Sequence, residues 1–324
     1  MKIVVVGLGS MGKRRIRLTQ KMQPSFTLIG VDGRADRRKE AETLLGISTY
    51  PSIAEAKAAE QIDCAFVCTS PLSHAAIIHE CLQNGWHIFT EINLVSDGYA
   101  ENMALAKAQG KVLFLSSTNL YNNDVRRIQK AVAAGKSWNY VYHVGQYLPD
   151  WHPWESYKDF FIGQSRTNGC REILAIELPW LVKTFGAIAD CTAMKDRNTT
   201  LDIDFYDNYM LSLRHENGNK GLFVVDVVTP VAVHSFEAFT ERGYISWDGT
   251  PENLKIFDAE TRALQQVHAT DTVERADGYA DFIIENDYEN ELAAFFDCVL
   301  HDAKAPYTFA DGLDLLTRID ALEA

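Results

Sequence analysis

Along the first third of the chain, short runs that are apolar at nearly every position alternate with stretches of helical period. The runs are KIVVVG, FTLIGVD, DCAFVCTS, HIFTEI and KVLFLSS; the helical stretches between them cover about residues 11–22, 36–45, 72–84 and 96–109. Strands without polar alternation are buried on both faces, which requires a parallel sheet covered by helices on either side. The pattern predicts a doubly wound parallel α/β domain over residues 1–120.

Beyond that point the period changes. A helix, NNDVRRIQKAVAAG, ends at Gly135, and the runs that follow alternate apolar and polar positions: NYVYHVGQYL, DNYMLSLRHENGNKGLFVVDVVTP, HSFEAFTERGYISWDGTPENLKIFDA and ALQQVHA. Turn clusters such as ENGNKG separate such runs, so they pair as antiparallel hairpins. Residues 121–288 are expected to form an α+β domain with a large, mostly antiparallel sheet that binds substrate and makes oligomer contacts. Residues 289–324 read as two amphipathic helices around a proline turn, packing back toward the first domain. GLFVVDVVTPVAV is apolar on both faces of its strand, and the face not covered by the domain's own helices calls for a second copy, so a homodimer or homotetramer is expected.

Composition narrows the class. A chain of 324 residues fits two domains, and 47% hydrophobic with 23% charged residues is a globular balance. A net charge of -13 opposes a phosphate backbone, and no Lys/Arg stripe interrupts it, so no nucleic-acid partner is expected. The opening MKIVVVGLG is too short for the apolar core of a signal peptide, and no run of about 18 apolar residues occurs, which argues for a cytoplasmic protein without a membrane partner. Six cysteines lie mostly in apolar segments, without C-x-x-C pairs or histidines at metal spacing; they read as reduced thiols, and no metal site is expected.

The first chemical motif is VVVGLGSMGKRR. Gly7, Gly9 and Gly12 stand in G-x-G-x-x-G spacing directly after a strand and at the start of a helix. In such a loop the first glycine permits a tight turn, the second lets backbone approach a pyrophosphate, and the third lets helix and strand pack closely. The helix start, Ser10 and Met11, supplies N–H groups and the positive end of the dipole. Asp32, about 20 residues after the last glycine, ends the second strand and suits the ribose hydroxyls of an adenosine while opposing a 2′-phosphate. Arg34, Arg37 and Arg38 follow, either as a solvated helix start or, through Arg37, as part of the nucleotide site. NAD is the expected cofactor, ahead of NADP.

With the glycine loop and Asp32, the segments CTSPLSHAAIIHECLQNGWHIFTEINL and YENELAAFFDCVL…YTFADGLDLLTRIDA resemble the Gfo/Idh/MocA family of nicotinamide-dependent oxidoreductases, over nearly the whole chain. The resemblance implies an N-terminal Rossmann domain, a sugar-type small-molecule substrate, a nicotinamide side lined by Thr69, Ser70, Pro71 and His74, and Glu91 beside the cofactor. The chain departs from the family at two places. Where members read Glu-Lys-Pro, with the lysine assisting proton transfer, this chain has Glu91-Ile92-Asn93. Where members carry an Asp and a His one helical turn apart, NGCREILAIELPWLVKTFG places Glu172 and Ile176. Isoleucine neither moves a proton nor donates a hydrogen bond.

The candidates for proton transfer are therefore Glu172 and three residues of GQYLPDWHPWESYKDFF: His152, Tyr157 and Lys158. That segment also brings together Tyr147, Trp151 and Trp154, whose rings suit the C–H face of a sugar or pack as an ordinary loop. Glu177 reads as helix surface or as half of an ion pair. Three functions stay open: an NAD-dependent oxidoreductase acting on a CH–OH group of a sugar or nucleotide sugar, a non-redox sugar enzyme that uses NAD transiently, and a nucleotide-binding partner without catalysis.

Overall fold

A computed structural model describes residues 1–135, 137–151, 155–276 and 281–324. Two compact units emerge: Met1–Ser117 with Tyr288–Thr317, and Thr118–Asp287 with Arg318–Ala324.

The first unit is built on a six-stranded parallel sheet: β1 (Lys2–Val6), β2 (Thr27–Val31), β3 (Ser48–Tyr50), β4 (Cys64–Val67), β5 (His87–Thr90) and β6 (Leu113–Leu115), in the order β3-β2-β1-β4-β5-β6. The helices α1 (Ser10–Met22), α2 (Ala35–Leu45), α3 (Ile53–Ala59), α4 (His74–Gln83) and α5 (Tyr99–Gln109) form the crossovers. The expected doubly wound sheet is present. The pattern reading passed over β3 and α3, because STY and IAEAKAA are too short to display a period. Strand order reverses between β2 and β4 on either side of β1, and it is outside such a reversal that open α/β sheets bind ligands. The core is the run of wholly buried β1 and β4 side chains with Phe66, Phe89, Phe114 and Phe295, whose rings meet at 5.2 to 5.8 Å.

The second unit holds α6 (Asn123–Ala133), α7 (Gly169–Phe185) and an eight-stranded sheet. Its strands are β7 (Asn139–Gly145), β8 (Ile188–Asp196), β9 (Asn208–His215), β10 (Lys220–Asp226), β11 (Val233–Thr240), β12 (Gly243–Trp247), β13 (Lys255–Asp258) and β14 (Ala263–Gln266), ordered β14-β13-β12-β11-β7-β10-β9-β8. Every pairing is antiparallel except β7 with β10. The edge strand β8 escaped the sequence reading because its IADCTAMKD alternates weakly and is largely exposed. The inner face carries Tyr140, Tyr142, Phe223 and Phe236 under α7, with Trp180 5.4 Å from Tyr142 and 5.3 Å from Phe236. On the outer face the register lines up Met194, Met210 and Val224, with Leu222 opposite Val141 beside them. Leu222, Met210 and Met194 remain exposed there. GLFVVDVVTPVAV is thus apolar on both faces, but among the described residues its outer face stays exposed at Leu222.

The tail contributes α8 (Glu285–His301) and α9 (Phe309–Glu323).

Candidate functional site

The ladder of the first sheet continues one residue past its strands: Gly7 N donates to the Val31 carbonyl, Cys68 N to Val6, Glu91 N to Val67 and Ser116 N to Thr90. This sets the C-terminal strand ends side by side at the reversal of strand order. Gly7 has φ +96, and a Cβ there would lie 2.6 Å from the Cys68 carbonyl oxygen and 2.9 Å from Thr69 Cγ2. At Gly12 a Cβ would meet the Gly7 carbonyl oxygen at 1.9 Å, so helix α1 approaches its strand only because no side chain intervenes. A Cβ on Gly9 would meet nothing nearer than Arg37 Nη1 at 3.8 Å, which leaves the loop's outer side open to a close-lying group. Gly9 caps α1 without a side-chain hydrogen bond, the first turn holds no acidic residue, Ser10 is exposed and Met11 half-buried. An open backbone cradle at a helix start whose first turn holds no acidic residue fits a pyrophosphate.

Asp32 accepts from Leu8 N at 2.9 Å and from Arg34 N at 2.8 Å, which fixes the carboxylate at the end of β2. Arg37 Nη1 stands 3.8 Å from the same carboxylate, so one candidate for the nucleotide's ribose end is an acid with an arginine beside it. Arg34 is taken up by Asp36, and Arg38 donates to the carbonyls of Asp32 and Gly33.

Glu91 is buried, and Arg15 holds it through bonds of 2.6 and 3.2 Å. A second buried carboxylate, Glu291, takes the remaining reach of that guanidinium at 2.6 Å and also accepts from Ser116 Oγ and Ser117 N. Glu91 is therefore one of two carboxylates in a buried charge cluster centred on Arg15. Ile92 is half-buried, Thr69 half-buried, Ser70 exposed and Pro71 buried. His74 is 2% exposed; its Nε2 donates to the Thr69 carbonyl at 2.8 Å and its Nδ1 faces the Asn93 side chain at 2.5 Å. Burial lowers its pKa. Both ring nitrogens are thus occupied, and Thr69 links His74 to the glycine loop.

In the second unit, Glu172 and Ile176 are the half-buried positions within the otherwise buried residues 169–181 of α7. Glu172 has no hydrogen-bond or ionic partner among the described residues, and desolvation alone pushes its pKa from 4.5 up to about 7. Glu177 corrects the sequence reading: it is neither helix surface nor an ion pair but a buried acceptor. Tyr142 OH and Trp180 Nε1 each donate to it at 2.6 Å and Asn119 Nδ2 at 3.1 Å, while His234 Nε2 lies 2.7 Å from the same tyrosine oxygen. Burial raises the Glu177 pKa, against the three hydrogen bonds that lower it, and burial lowers that of His234 to about 4.

The other described proton-transfer candidates, Lys158 and Tyr157, make no hydrogen bond or ion pair with Glu172. Lys158 is exposed and pairs with Asp202 at 2.6 Å, which raises its pKa, the opposite of the desolvated lysine that acts as a base. Tyr157 is half-buried in the same irregular segment, held by the close approach of Gly163 to its carbonyl. His152 and Trp154 lie outside the described residues. Arg15, Glu291, Asn93 and the Glu177 network escaped the sequence reading; in KRRIR nothing distinguishes the buried Arg15 from its neighbours.

Residues 1–117 match GFO_IDH_MocA, an oxidoreductase family with an NAD-binding Rossmann fold. The match covers the N-terminal Rossmann domain, and the cofactor that family binds there is NAD. Biliverdin reductase A of Homo sapiens is 28% identical over 132 residues, 40% of this chain and 44% of that protein. The Mus musculus enzyme is 30% identical over 133 residues with the same shares, so the matched stretch spans less than half of either relative. Solved structures of similar fold include a levoglucosan dehydrogenase in complex with NADH and levoglucosan, with TM-score 0.82, 15% identity and coverage of 99% of this chain and 96% of that one. A myo-inositol dehydrogenase from Corynebacterium glutamicum superposes with TM-score 0.78 at 18% identity, covering 99% and 95%. At these identities the likeness is one of fold.

Proposed function

We propose that the chain is an NAD-dependent oxidoreductase acting on a secondary alcohol or ketone of a sugar or nucleotide sugar, with Glu172 carrying the proton. Bound nicotinamide supplies the hydride acceptor or donor at C4. Gly7, Gly9, Gly12, Ser10 and Met11 would hold the pyrophosphate, Asp32 and Arg37 the ribose, and Thr69, Ser70 and Pro71 the strand-end side of the cofactor. In oxidation the hydroxyl proton passes to the Glu172 carboxylate as the C–H hydride leaves; in reduction the neutral acid returns it.

The observation that carries this reading is the state of Glu172. A carboxyl without a partner among the described residues, its pKa pushed up to about 7 by burial, is costly to maintain and suited to giving and taking a proton at neutral pH. It occupies the position at which the family resemblance implies an acid. Tyr157 remains a second donor candidate. The exposed outer sheet face around Leu222 and Met210 supports a homodimer or homotetramer as the working form. Ile92 and Ile176 favour a competing reading, a nucleotide-binding protein without turnover.

The test is turnover of NAD with a panel of polyols, sugars and nucleotide sugars, with biliverdin added because the sequence relatives reduce it by name. Glu172→Gln should lower kcat by about 10²- to 10⁴-fold with NADH binding intact. Binding without turnover across the panel supports the competing reading.

A further inference from the structure

We propose that Asn93 is a positioning residue for the cofactor loop: through His74 it fixes the carbonyl of Thr69, and with it the turn that abuts the glycine loop. The proposal rests on the reading that Thr69–Pro71 borders the cofactor.

Donor and acceptor counting gives the reason. The Thr69 carbonyl is an acceptor, so His74 Nε2 must carry a hydrogen to meet it at 2.8 Å. His74 is buried and its pKa is lowered by desolvation, so the ring holds a single proton and Nδ1 is a bare lone pair. A lone pair 2.5 Å from the Asn93 amide needs a donor, and the atom placed there as Oδ1 is another acceptor. Amide oxygen and nitrogen are assigned by such networks, so the Asn93 amide is turned, with its NH2 toward His74 and its oxygen toward Tyr99. The Tyr99 hydroxyl, 3.1 Å from the other amide atom, then donates to that oxygen. The alternative partner, Thr90 Oγ1, lies 3.4 Å from Nδ1 and is also 3.2 Å from the Glu91 carbonyl.

The result is one directional chain: Tyr99 to Asn93 to His74 to the Thr69 carbonyl. Asn93 is 6% and Tyr99 3% exposed, so water does not replace a missing member. The Tyr99 ring is itself seated on Phe309 at 4.7 Å. At the far end Thr69 Cγ2 lies within 2.9 Å of the place a Gly7 side chain would take, so a displaced Thr69 is felt in the glycine loop. A proline at position 93, which the family resemblance would place there, supplies neither a donor to His74 nor an acceptor to Tyr99.

Three substitutions separate this role from general packing. Asn93→Leu removes both bonds and should weaken NADH binding by about tenfold or more, and Tyr99→Phe, which removes only the outer link, should weaken it less. Asn93→Asp is the discriminating variant, because a carboxylate offers only acceptors. Above neutral pH the His74 proton should move to Nδ1 to meet Asp, releasing Thr69 and weakening NADH. Near pH 6 a doubly protonated ring bonds both partners and should restore affinity. Glu91, Asp97 and Tyr99 are the other titratable groups about that ring, and the wild-type protein and His74→Gln serve as pH controls. Nitrogen-15 histidine spectra should place the wild-type His74 proton on Nε2. The proposal is overturned if that proton sits on Nδ1, or if the variants bind NADH within about twofold of wild type while losing thermal stability. Should Asn93→Leu not fold, Asn93→Asp and the wild-type spectra decide. NADH titration needs no substrate, so absent turnover bears on Glu172 and leaves Asn93 to be judged separately.

Discussion

Arg15 and Glu91, 76 positions apart, meet in the interior of the first unit, with Arg15 Nε 2.6 Å from Glu91 Oε1 and Nη2 3.2 Å from Oε2. The guanidinium is wholly buried, lies 4.5 Å from the Phe89 ring and 5.1 Å from that of Tyr288, and has Glu291 as its second carboxylate. Burial alone would lower the arginine's pKa, but the two carboxylates raise it, so the charge stays. One cation thus serves two buried carboxylates, Glu91 just after β5 and Glu291 on α8, which meets the residues just after β6.

Removing that cation should be expensive. Arg15→Met leaves two uncompensated carboxylates and is expected to cost about 3–5 kcal/mol in chemical denaturation. The loss should shrink in acid. Burial already raises the Glu291 pKa, and without Arg15 the folded state binds protons that the unfolded state releases, so stability falls as pH rises above the ordinary carboxyl range. Equal losses at pH 5 and pH 8 would mean that the cluster carries no uncompensated charge.

The Glu177 network should behave as a structural unit. Tyr142→Phe keeps the ring but removes the hydroxyl that joins Glu177 to His234, leaving buried polar groups unpaired at a cost of about 1–3 kcal/mol. Thermal unfolding of Tyr142→Phe alone and with Glu177→Gln should show non-additivity, since the two act through one contact.

The fold was legible because its signals are long and repeated. β1, β2, β4 and β5 are continuous apolar runs, and ENGNKG marks the β9–β10 hairpin directly. The glycine loop was legible because Gly7 and Gly12 answer steric demands within the fold, while Gly9 leaves the loop's outer side open. Long-range polar pairing was not. Arg15 with Glu291, 276 positions apart, and Tyr142 with Glu177 obey no local period, so the sequence shows only a basic helix and an acidic residue in an apolar stretch. Glu172 was found through its position in a family pattern, whereas its lack of a partner is a property of packing alone.

Cofactor choice should turn on Asp32. Its carboxylate is held by two backbone N–H groups, so Asp32→Ala removes the ribose acceptor without removing Arg37. In fluorescence titrations the wild type should prefer NADH, and the variant should lose NADH affinity while NADPH binding falls less or rises, since a 2′-phosphate then faces arginine without an opposing acid. Equal affinities in the wild type would remove Asp32 from the discrimination.

The outer sheet face offers a direct test of assembly. Leu222 is 53% exposed at its centre and pairs in register with Val141, so Leu222→Lys places a charge in the patch without touching the covered face. Light scattering should report a dimer or tetramer for the wild type and a smaller species for the variant. A monomeric wild type at micromolar concentration would leave this face without a second copy.

Glu172 should trade stability for activity, and the sign of the trade follows from its pKa. The ordinary value of 4.5 is pushed up to about 7 by burial, so between those values the folded state holds a proton that the unfolded state has released. Stability contributed by the neutral acid is present below the ordinary pKa and is lost as pH rises toward 7. Glutamine imitates the neutral acid at every pH. The melting temperature of Glu172→Gln should therefore match wild type near pH 4.5 and exceed it increasingly up to about pH 8. Over the same range wild-type alcohol oxidation should rise as the carboxylate forms, ketone reduction should fall, and the variant should lose both the dependence and about 10²- to 10⁴-fold in kcat. A side chain whose loss stabilises the fold while silencing turnover is held for its chemistry. If Glu172→Gln gains stability but keeps its rate within about threefold, the proton is carried elsewhere, and Tyr157→Phe becomes the variant to measure.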